Sequence, residues 1–181
     1  AWKYRSLVAA AFEAVIHAED IPFDVVAGTA TAGIPHATTL ADRLHLPLVY
    51  VRSSSKGHGL QNRIEGVSGP AELSGKRVLL VEDLISTGGS SIDALKALRS
   101  TGAEVSHCVA IFTYGLNKAA KRFAELDPPC SCYSILEYDH MIQVALHKGY
   151  IDEEKQKSLL EWRTDPFGWG NSHGFPPEVN D

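Results

Sequence analysis

Two periods of apolar and polar positions run along this chain and predict most of its elements. Leu7, Ala11, Ala14, Val15 and Ala18 recur at helical spacing, and Pro22 closes that first helix. Phe23-Asp24-Val25-Val26-Ala27-Gly28 is a short apolar run stopped by small residues and reads as a buried strand. Ile34 to Leu44 is helical again, with Pro35 in the first turn, where a missing N–H costs nothing. Pro47 to Val51 is strand-like, and Arg52 to Gly66 is a polar, Gly- and Ser-rich stretch without periodicity, of the kind that is usually functional or mobile. Arg77-Val78-Leu79-Leu80-Val81 reads as a strand buried on both faces, as in the middle of a parallel sheet. A helix follows from about Gly89, with Ile92, Leu95 and Leu98 inward and Gly102 as its stop. Glu104 to Thr113 is strand, Lys118 to Leu126 helix and Ser131 to Leu136 strand. Helices at Asp139 to Lys148 and Glu153 to Arg163 precede a tail of Pro, Gly, Trp and Phe.

Strands alternating with helices predict an α/β protein with a mostly parallel central sheet flanked by helices. No internal repeat or linker divides the chain, so residues 1–181 are expected to form a single domain, with a core at about 20–136 and C-terminal helices and tail at about 137–181. In such sheets ligands bind at the carboxyl ends of the strands, which makes each loop after a strand a candidate site.

Composition narrows the function classes. Hydrophobic residues make up 44% and charged residues 22%, ordinary for a globular protein, and no apolar run approaches a membrane span. The net charge is -5 and the basic residues are scattered, which argues against nucleic acid as a main partner while leaving room for a local phosphate pocket. The three cysteines, Cys108, Cys130 and Cys132, are odd in number and lack paired C-x-x-C spacing; a reducing, cytoplasmic setting fits. The first residue is Ala1 rather than Met and no signal-peptide pattern follows it, as in a numbering that starts inside a longer chain.

The chemistry concentrates after the central strand. Glu82-Asp83-Leu84-Ile85-Ser86-Thr87-Gly88-Gly89-Ser90-Ser91 places two acids at the mouth of the sheet and then hydroxyls and glycines before a helix. Glycines let the backbone approach an anion, hydroxyls donate to it, and the N–H groups of the new helix point at it. Neither a Walker A loop nor a G-x-G-x-x-G dinucleotide fingerprint is present. Carboxylates beside a phosphate cradle would repel the phosphate unless they face sugar hydroxyls or a cation, and a phosphorylated sugar satisfies both halves.

From Val78 to Ser90 the pattern of four apolar residues, two acids, two apolar residues and Ser-Thr-Gly-Gly-Ser resembles the phosphoribosyl pyrophosphate (PRPP) signature of type I phosphoribosyltransferases. Ala27-Gly28-Thr29-Ala30-Thr31-Ala32-Gly33-Ile34-Pro35-His36-Ala37 and Tyr50-Val51-Arg52-Ser53-Ser54-Ser55-Lys56-Gly57-His58-Gly59 are similar to segments of the bacterial orotate phosphoribosyltransferases. Phe112-Thr113-Tyr114-Gly115 and the Trp162 to Trp169 tail are similar to that family too.

That resemblance implies a type I phosphoribosyltransferase fold and transfer of the phosphoribosyl group of PRPP to orotate, giving orotidine 5′-phosphate and pyrophosphate on the way to UMP. Glu82 and Asp83 would hold the ribose hydroxyls, and Leu84 and Ile85 lead into Ser86, Thr87, Gly88, Gly89 and Ser90, which would wrap the 5′-phosphate. Ser86 also matches the family's hydroxyl near orotate. Thr29, Ala30, Thr31 and Ala32 would form a turn facing pyrophosphate, with Ala32 where some members carry lysine. Arg52, Lys56 and His58 would be the catalytic cations over the leaving pyrophosphate, with Mg²⁺ bound through PRPP rather than by direct protein ligands. The 52–66 loop is expected to be shared across subunits of a homodimer. The family's N-terminal hood motif is not found, so the hood is expected to be reduced or missing. The arginine that some orotate enzymes place after the strand ending Phe112-Thr113 is likewise not matched. The rival readings are a type I phosphoribosyltransferase for another base and a PRPP-binding regulator without turnover. Of the remaining histidines, none has metal spacing, and only His36, beside the pyrophosphate turn, stands near the chemistry.

Overall fold

The computed structural model describes residues 2–53 and 63–175. The elements follow in the order α1 (Trp2–Ala18), β1 (Val25–Thr29), α2 (Gly33–Leu44), β2 (Leu48–Val51), β3 (Ile64–Glu65), a 3-10 turn (Pro70–Leu73), β4 (Arg77–Ile85), α3 (Gly89–Arg99), β5 (Glu104–Thr113), α4 (Asn117–Ala124), β6 (Ser131–Glu137), α5 (Tyr138–His147), α6 (Glu153–Thr164) and α7 (Trp169–Ser172). Six strands form one sheet in the order β3-β2-β1-β4-β5-β6. All neighbours are parallel except β3, which runs antiparallel to β2. The alternation of elements thus predicted the observed architecture, a mostly parallel sheet flanked by helices.

The central strand shows why Val78 to Val81 are apolar without a break. Leu79 and Val81 pack with Phe12, Ala37 and Leu40 of α1 and α2, while Val78 and Leu80 pack with Ile92, Leu95 and Leu98 of α3. Both faces are covered, and none of these four strand residues is more than 2% exposed. At the edge of the same strand, the guanidinium of Arg77 donates two hydrogen bonds to the Asp24 carboxylate, at 2.7 and 3.0 Å. Those bonds fix the start of β4 beside the start of β1 and hold the Asp24 carboxyl at about 2, below its ordinary value.

Four boundaries differ from the sequence expectation. The strand expected at 77–81 continues to Ile85, because β5 pairs with it as far as Ile85 opposite Thr113. The acids Glu82 and Asp83 thus stand on the strand rather than in the loop after it. Ile64–Glu65, inside the stretch read as loop, is a two-residue strand on β2. The tail contains the short helix α7, and α5 starts at Tyr138. The first helix begins earlier than its apolar pattern, at Trp2, and the remaining ends shift by at most two residues, as helix and strand ends fray.

Two features aim the strand ends. The order reverses between β1 and β4, whose pairing puts Gly28 opposite Val81, so the next residues, Thr29 and Glu82, are neighbours at the switch point. Beside them Gly33 begins α2 so close to β4 that an added Cβ would lie 2.7 Å from the Val81 carbonyl oxygen. At the same carboxyl end of the sheet, one strand further along, Tyr114 packs on Tyr138 and Trp162, at ring separations of 5.6 and 5.4 Å, which seats α5 and α6 on the end of β5. No helix among the described residues is long and apolar enough to cross a membrane.

Because backbone meets backbone at Gly33, the Gly33→Ala variant is expected to lose about 2 kcal/mol of stability and about 4–8 °C in melting temperature. A calorimetric melt checks this, and an unchanged midpoint would show that α2 shifts freely on β4.

Candidate active site

The ends of β1 and β4, and the loop from β4 into α3, enclose a cavity of about 480 Å³. Its lining is Thr29, Ala30, Thr31 and Ala32 from one side and Glu82, Asp83, Leu84, Ser86, Thr87, Gly88, Gly89 and Ser90 from the other. Two segments about fifty positions apart in sequence thus face each other across the switch point. The volume lies within the usual range for a small-molecule site. A larger cavity of about 890 Å³ flanks β6, but Ala14, Val15, Leu116, Ala119 and Phe123 dominate it, and its charged members are Glu19 and Glu137. That lining offers no cationic side chain to an anion.

The phosphate-cradle half is built by the start of α3. Gly88 adopts φ +77°, the left-handed conformation that glycine takes without strain, and its Cβ position is blocked by the Phe123 ring at 2.8 Å. No side chain caps α3, so the N–H groups of its first turn have no intrahelical partner. They face the side of the cavity lined by Ser86–Ser90, with the positive end of the helix dipole behind them.

The acid half is electrostatically unusual. Glu82 is 3% exposed. Alternation along β4 turns it to the α3 face, where the Ser91 hydroxyl donates to Glu82 Oε2 at 2.9 Å and the Asp83 N–H donates to Oε1 at 3.3 Å. Burial and the hydrogen bond shared with the Asp83 carboxyl push the Glu82 carboxyl up to about 7, against the opposing pull of the Ser91 and Thr29 hydroxyls. Thr29 Oγ1 is buried at the end of β1 without a well-formed hydrogen bond, close enough to Glu82 to favour its charged form. His36, on α2, is held below its ordinary value by burial, with the nearby Asp83 carboxylate acting in the opposite sense.

The phosphoribosyl transferase domain family matches residues 4–146. An orotate phosphoribosyltransferase of Coxiella burnetii is 46% identical over 165 residues, covering 91% of this chain and 76% of that protein. This chain belongs to the orotate phosphoribosyltransferase family. The enzyme of that name from Halalkalibacterium halodurans is 50% identical over 163 residues, 90% of this chain and 74% of its own length. The one from Staphylococcus haemolyticus is 54% identical over 140 residues, 77% and 66% respectively, so the chain spans about two thirds to three quarters of these relatives. Among solved structures, the orotate phosphoribosyltransferase of Aeropyrum pernix superposes with a TM-score of 0.67 at 29% identity, covering 84% of this chain and 80% of that one. An adenine phosphoribosyltransferase from Thermoanaerobacter pseudethanolicus shares the fold, with a TM-score of 0.61 at 21% identity, covering 75% of this chain and 81% of that one.

Against the family's expected site, the residues distribute as follows. The turn Thr29–Ala32 and the segment Glu82–Ser90 line one cavity, and the peptide bond between Ala30 and Thr31 is cis. Ile85 is the exception in its segment: its side chain is buried in the core, and its carbonyl accepts bonds from the Thr113 hydroxyl and the Tyr114 N–H, both at 3.2 Å. Arg52 does not line the cavity; its Nη1 lies 3.5 Å from Glu65 Oε1 on β3. Lys56 and His58 lie outside the described residues. Sequence reasoning missed Ser91 and the Thr29 hydroxyl as partners of Glu82. A serine in the first turn of a helix looks like an ordinary capping residue, and only the register of β1 with β4 brings Thr29 to Glu82.

The raised Glu82 carboxyl has a consequence for stability. Below about pH 4.5 it is protonated in folded and unfolded chains alike, and from there to about 7 only the folded chain keeps its proton. Stability therefore falls as pH rises through that window and stays lowered above it. Glu82→Gln, which mimics the neutral form, should gain on the wild type between about pH 5 and 8 by up to about 3 kcal/mol. Melting curves across that range check it, and a pH-independent difference would remove the buried-charge explanation.

Proposed function

We propose that this chain catalyses the Mg²⁺-dependent transfer of a phosphoribosyl group from PRPP to orotate, giving orotidine 5′-phosphate and pyrophosphate in pyrimidine biosynthesis. The observation that carries the proposal is the meeting of an anion cradle, Ser86–Ser90, with an acid pair, Glu82 and Asp83, and a small-residue turn, Thr29–Ala32, around one cavity. A sugar phosphate with a second phosphorylated arm answers all three, and relatives about half identical to this chain supply the base.

In this reading the carboxylates of Glu82 and Asp83 accept hydrogen bonds from the ribose 2′- and 3′-hydroxyls and fix the ring. The amides and hydroxyls of Ser86, Thr87, Gly88, Gly89 and Ser90 hold the 5′-phosphate, and the turn at Thr29–Ala32 meets the pyrophosphate arm. Ser86, which lines the cavity, is assigned a second role beside the incoming base through its hydroxyl. The bond from C1′ to pyrophosphate breaks with its electron pair leaving on oxygen, and the ring nitrogen of orotate gives up its N–H proton, which the departing pyrophosphate can accept, and donates its pair to C1′. Positive charge grows on the ribose and negative charge on the leaving group, so cations over the pyrophosphate favour the transition state. Arg52, Lys56 and His58 are assigned that role, with Lys56 foremost because Arg52 is already paired with Glu65.

Among the described residues no group of three or more His, Cys, Asp or Glu side chains could hold a metal ion. The hard carboxylate oxygens of Glu82 and Asp83 fit Mg²⁺ carried in chiefly on the phosphate oxygens of PRPP, which retains part of its water shell. Mg²⁺ there supplies charge neutralisation at the leaving pyrophosphate. The proposal includes a homodimer in which residues 52–66 of one subunit serve the neighbour's cavity, and a cytoplasmic setting supported by three unpaired cysteines.

A spectrophotometric assay with PRPP, Mg²⁺ and orotate tests the reaction, with uracil, adenine and xanthine beside it. Orotate consumption is expected; turnover of another base alone would overturn the substrate, and turnover of none would favour a PRPP-binding regulator.

Lys56→Ala should lower kcat by about a hundredfold or more, the size of a lost transition-state contact, while changing the affinity for PRPP much less. Equal losses in both would show a loop that only binds.

A further inference from the structure

The cavity contains an electrostatic puzzle. It is lined by two acids and, among the described residues, by no Lys or Arg, yet it is read as taking a phosphate dianion. The cation closest to resolving this sits behind the cradle. Arg122, on α4, donates from Nη1 to the Thr87 carbonyl oxygen at 3.1 Å. The same nitrogen is 3.7 Å from the position a Cβ would take on Gly89, so the guanidinium lies along the outer side of the loop at two of its five residues. Its neighbour on α4, Phe123, packs on the intervening Gly88. The helix is anchored in turn, since the Phe123 carbonyl accepts the N–H of Cys130 at 3.2 Å at the entrance to β6.

We propose that Arg122 is a positioning residue for the 5′-phosphate. It holds the Thr87 carbonyl turned outward, so that the neighbouring N–H groups face the cavity, and it places a fixed, half-buried positive charge behind the loop. This rests on reading the cavity as a phosphoribosyl site. The arrangement has a physical logic beyond a local hydrogen bond. A carbonyl pointing at a phosphate would repel it, and a peptide whose carbonyl is held outward presents its N–H inward. A guanidinium does the holding with a charge-assisted bond and adds its own attraction for the dianion, little screened because it is partly buried. Its effect is confined to the phosphate end, since the pyrophosphate turn lies across the cavity on β1.

The discriminating experiment compares two ligands that share no base. Isothermal titration of the wild type, Arg122→Gln and Arg122→Lys is made with ribose 5-phosphate and, separately, with inorganic pyrophosphate, both with Mg²⁺. Arg122→Gln is expected to weaken ribose 5-phosphate about fivefold, the scale of one partly screened charge contact, and pyrophosphate by less than about twofold. In turnover the loss should appear in KM for PRPP more than in kcat, as for a group bound alike in ground and transition states. Arg122→Lys, which keeps the charge, should recover at least half of the lost affinity. Equal weakening of both ligands, or undiminished ribose 5-phosphate binding in an Arg122→Gln protein with a normal melting temperature, would overturn the proposal. So would an Arg122→Lys variant no better than Arg122→Gln. Because neither ligand carries a base, a negative orotate assay would leave these outcomes readable.

Discussion

Gly28 of β1 lies opposite Val81 of β4 in parallel register, and beyond that pair the two strands part company. β1 leads into α2 on one face of the sheet and β4 leads into α3 on the other. Because the two connections leave in opposite directions, a crevice opens between them. Every residue of the cavity is placed by this divergence. Thr29 is next to Glu82 because Gly28 is next to Val81, and the turn to Ala32 is held down because Gly33 fits against the Val81 carbonyl. A side chain at Gly33 would act at the hinge of the crevice.

The same geometry sets the electrostatics. An acid within a buried parallel strand inherits the strand's burial, and around Glu82 stand a serine, a threonine, the adjacent peptide and the Asp83 carboxyl. The free chain carries this as a cost in stability above neutral pH, of the kind functional sites commonly bear. Hydroxyl groups of a bound sugar would satisfy those oxygens. The neighbouring loop carries the opposite bias, with unpaired N–H groups, a helix dipole and the Arg122 guanidinium. A ligand with hydroxyls at one end and a phosphate at the other matches both poles at once.

Much of this was legible in the sequence, for identifiable reasons. Val78–Val81 could be read as a central strand because burial on both faces removes alternation, and the helices at α2 and α3 because their apolar faces are regular. The Glu82–Ser90 segment could be read because acids, hydroxyls and glycines in that order have few other uses. What escaped were facts that depend on neighbours distant in the chain. The extension of β4 through Ile85 is decided by β5, the strand at Ile64–Glu65 by β2, and the partnership of Thr29 with Glu82 by register. Ser91 and Arg122 carry no signal at all at the level of motif: one looks like a cap, the other like a solvated helix charge. Lys56 and His58, which the family pattern marks most clearly, lie outside the described residues.

Glycine-rich loops raise a problem that their sequence does not solve. Gly88 and Gly89 permit the backbone to approach an anion, but a loop this permissive loses much freedom when it is ordered. If that ordering happened on binding, it would subtract from affinity. Here much of it happens on folding. The Ile92 N–H bonds to the Gly88 carbonyl at 3.0 Å, the Phe123 ring fills the space over Gly88, and Arg122 fixes the Thr87 carbonyl. Two of these three supports come from α4, a short helix with no motif of its own, joined to β4 only through the intervening strand β5. The cradle is therefore a property of α3 and α4 together, and the residues that make it rigid lie outside the segment that makes it recognisable.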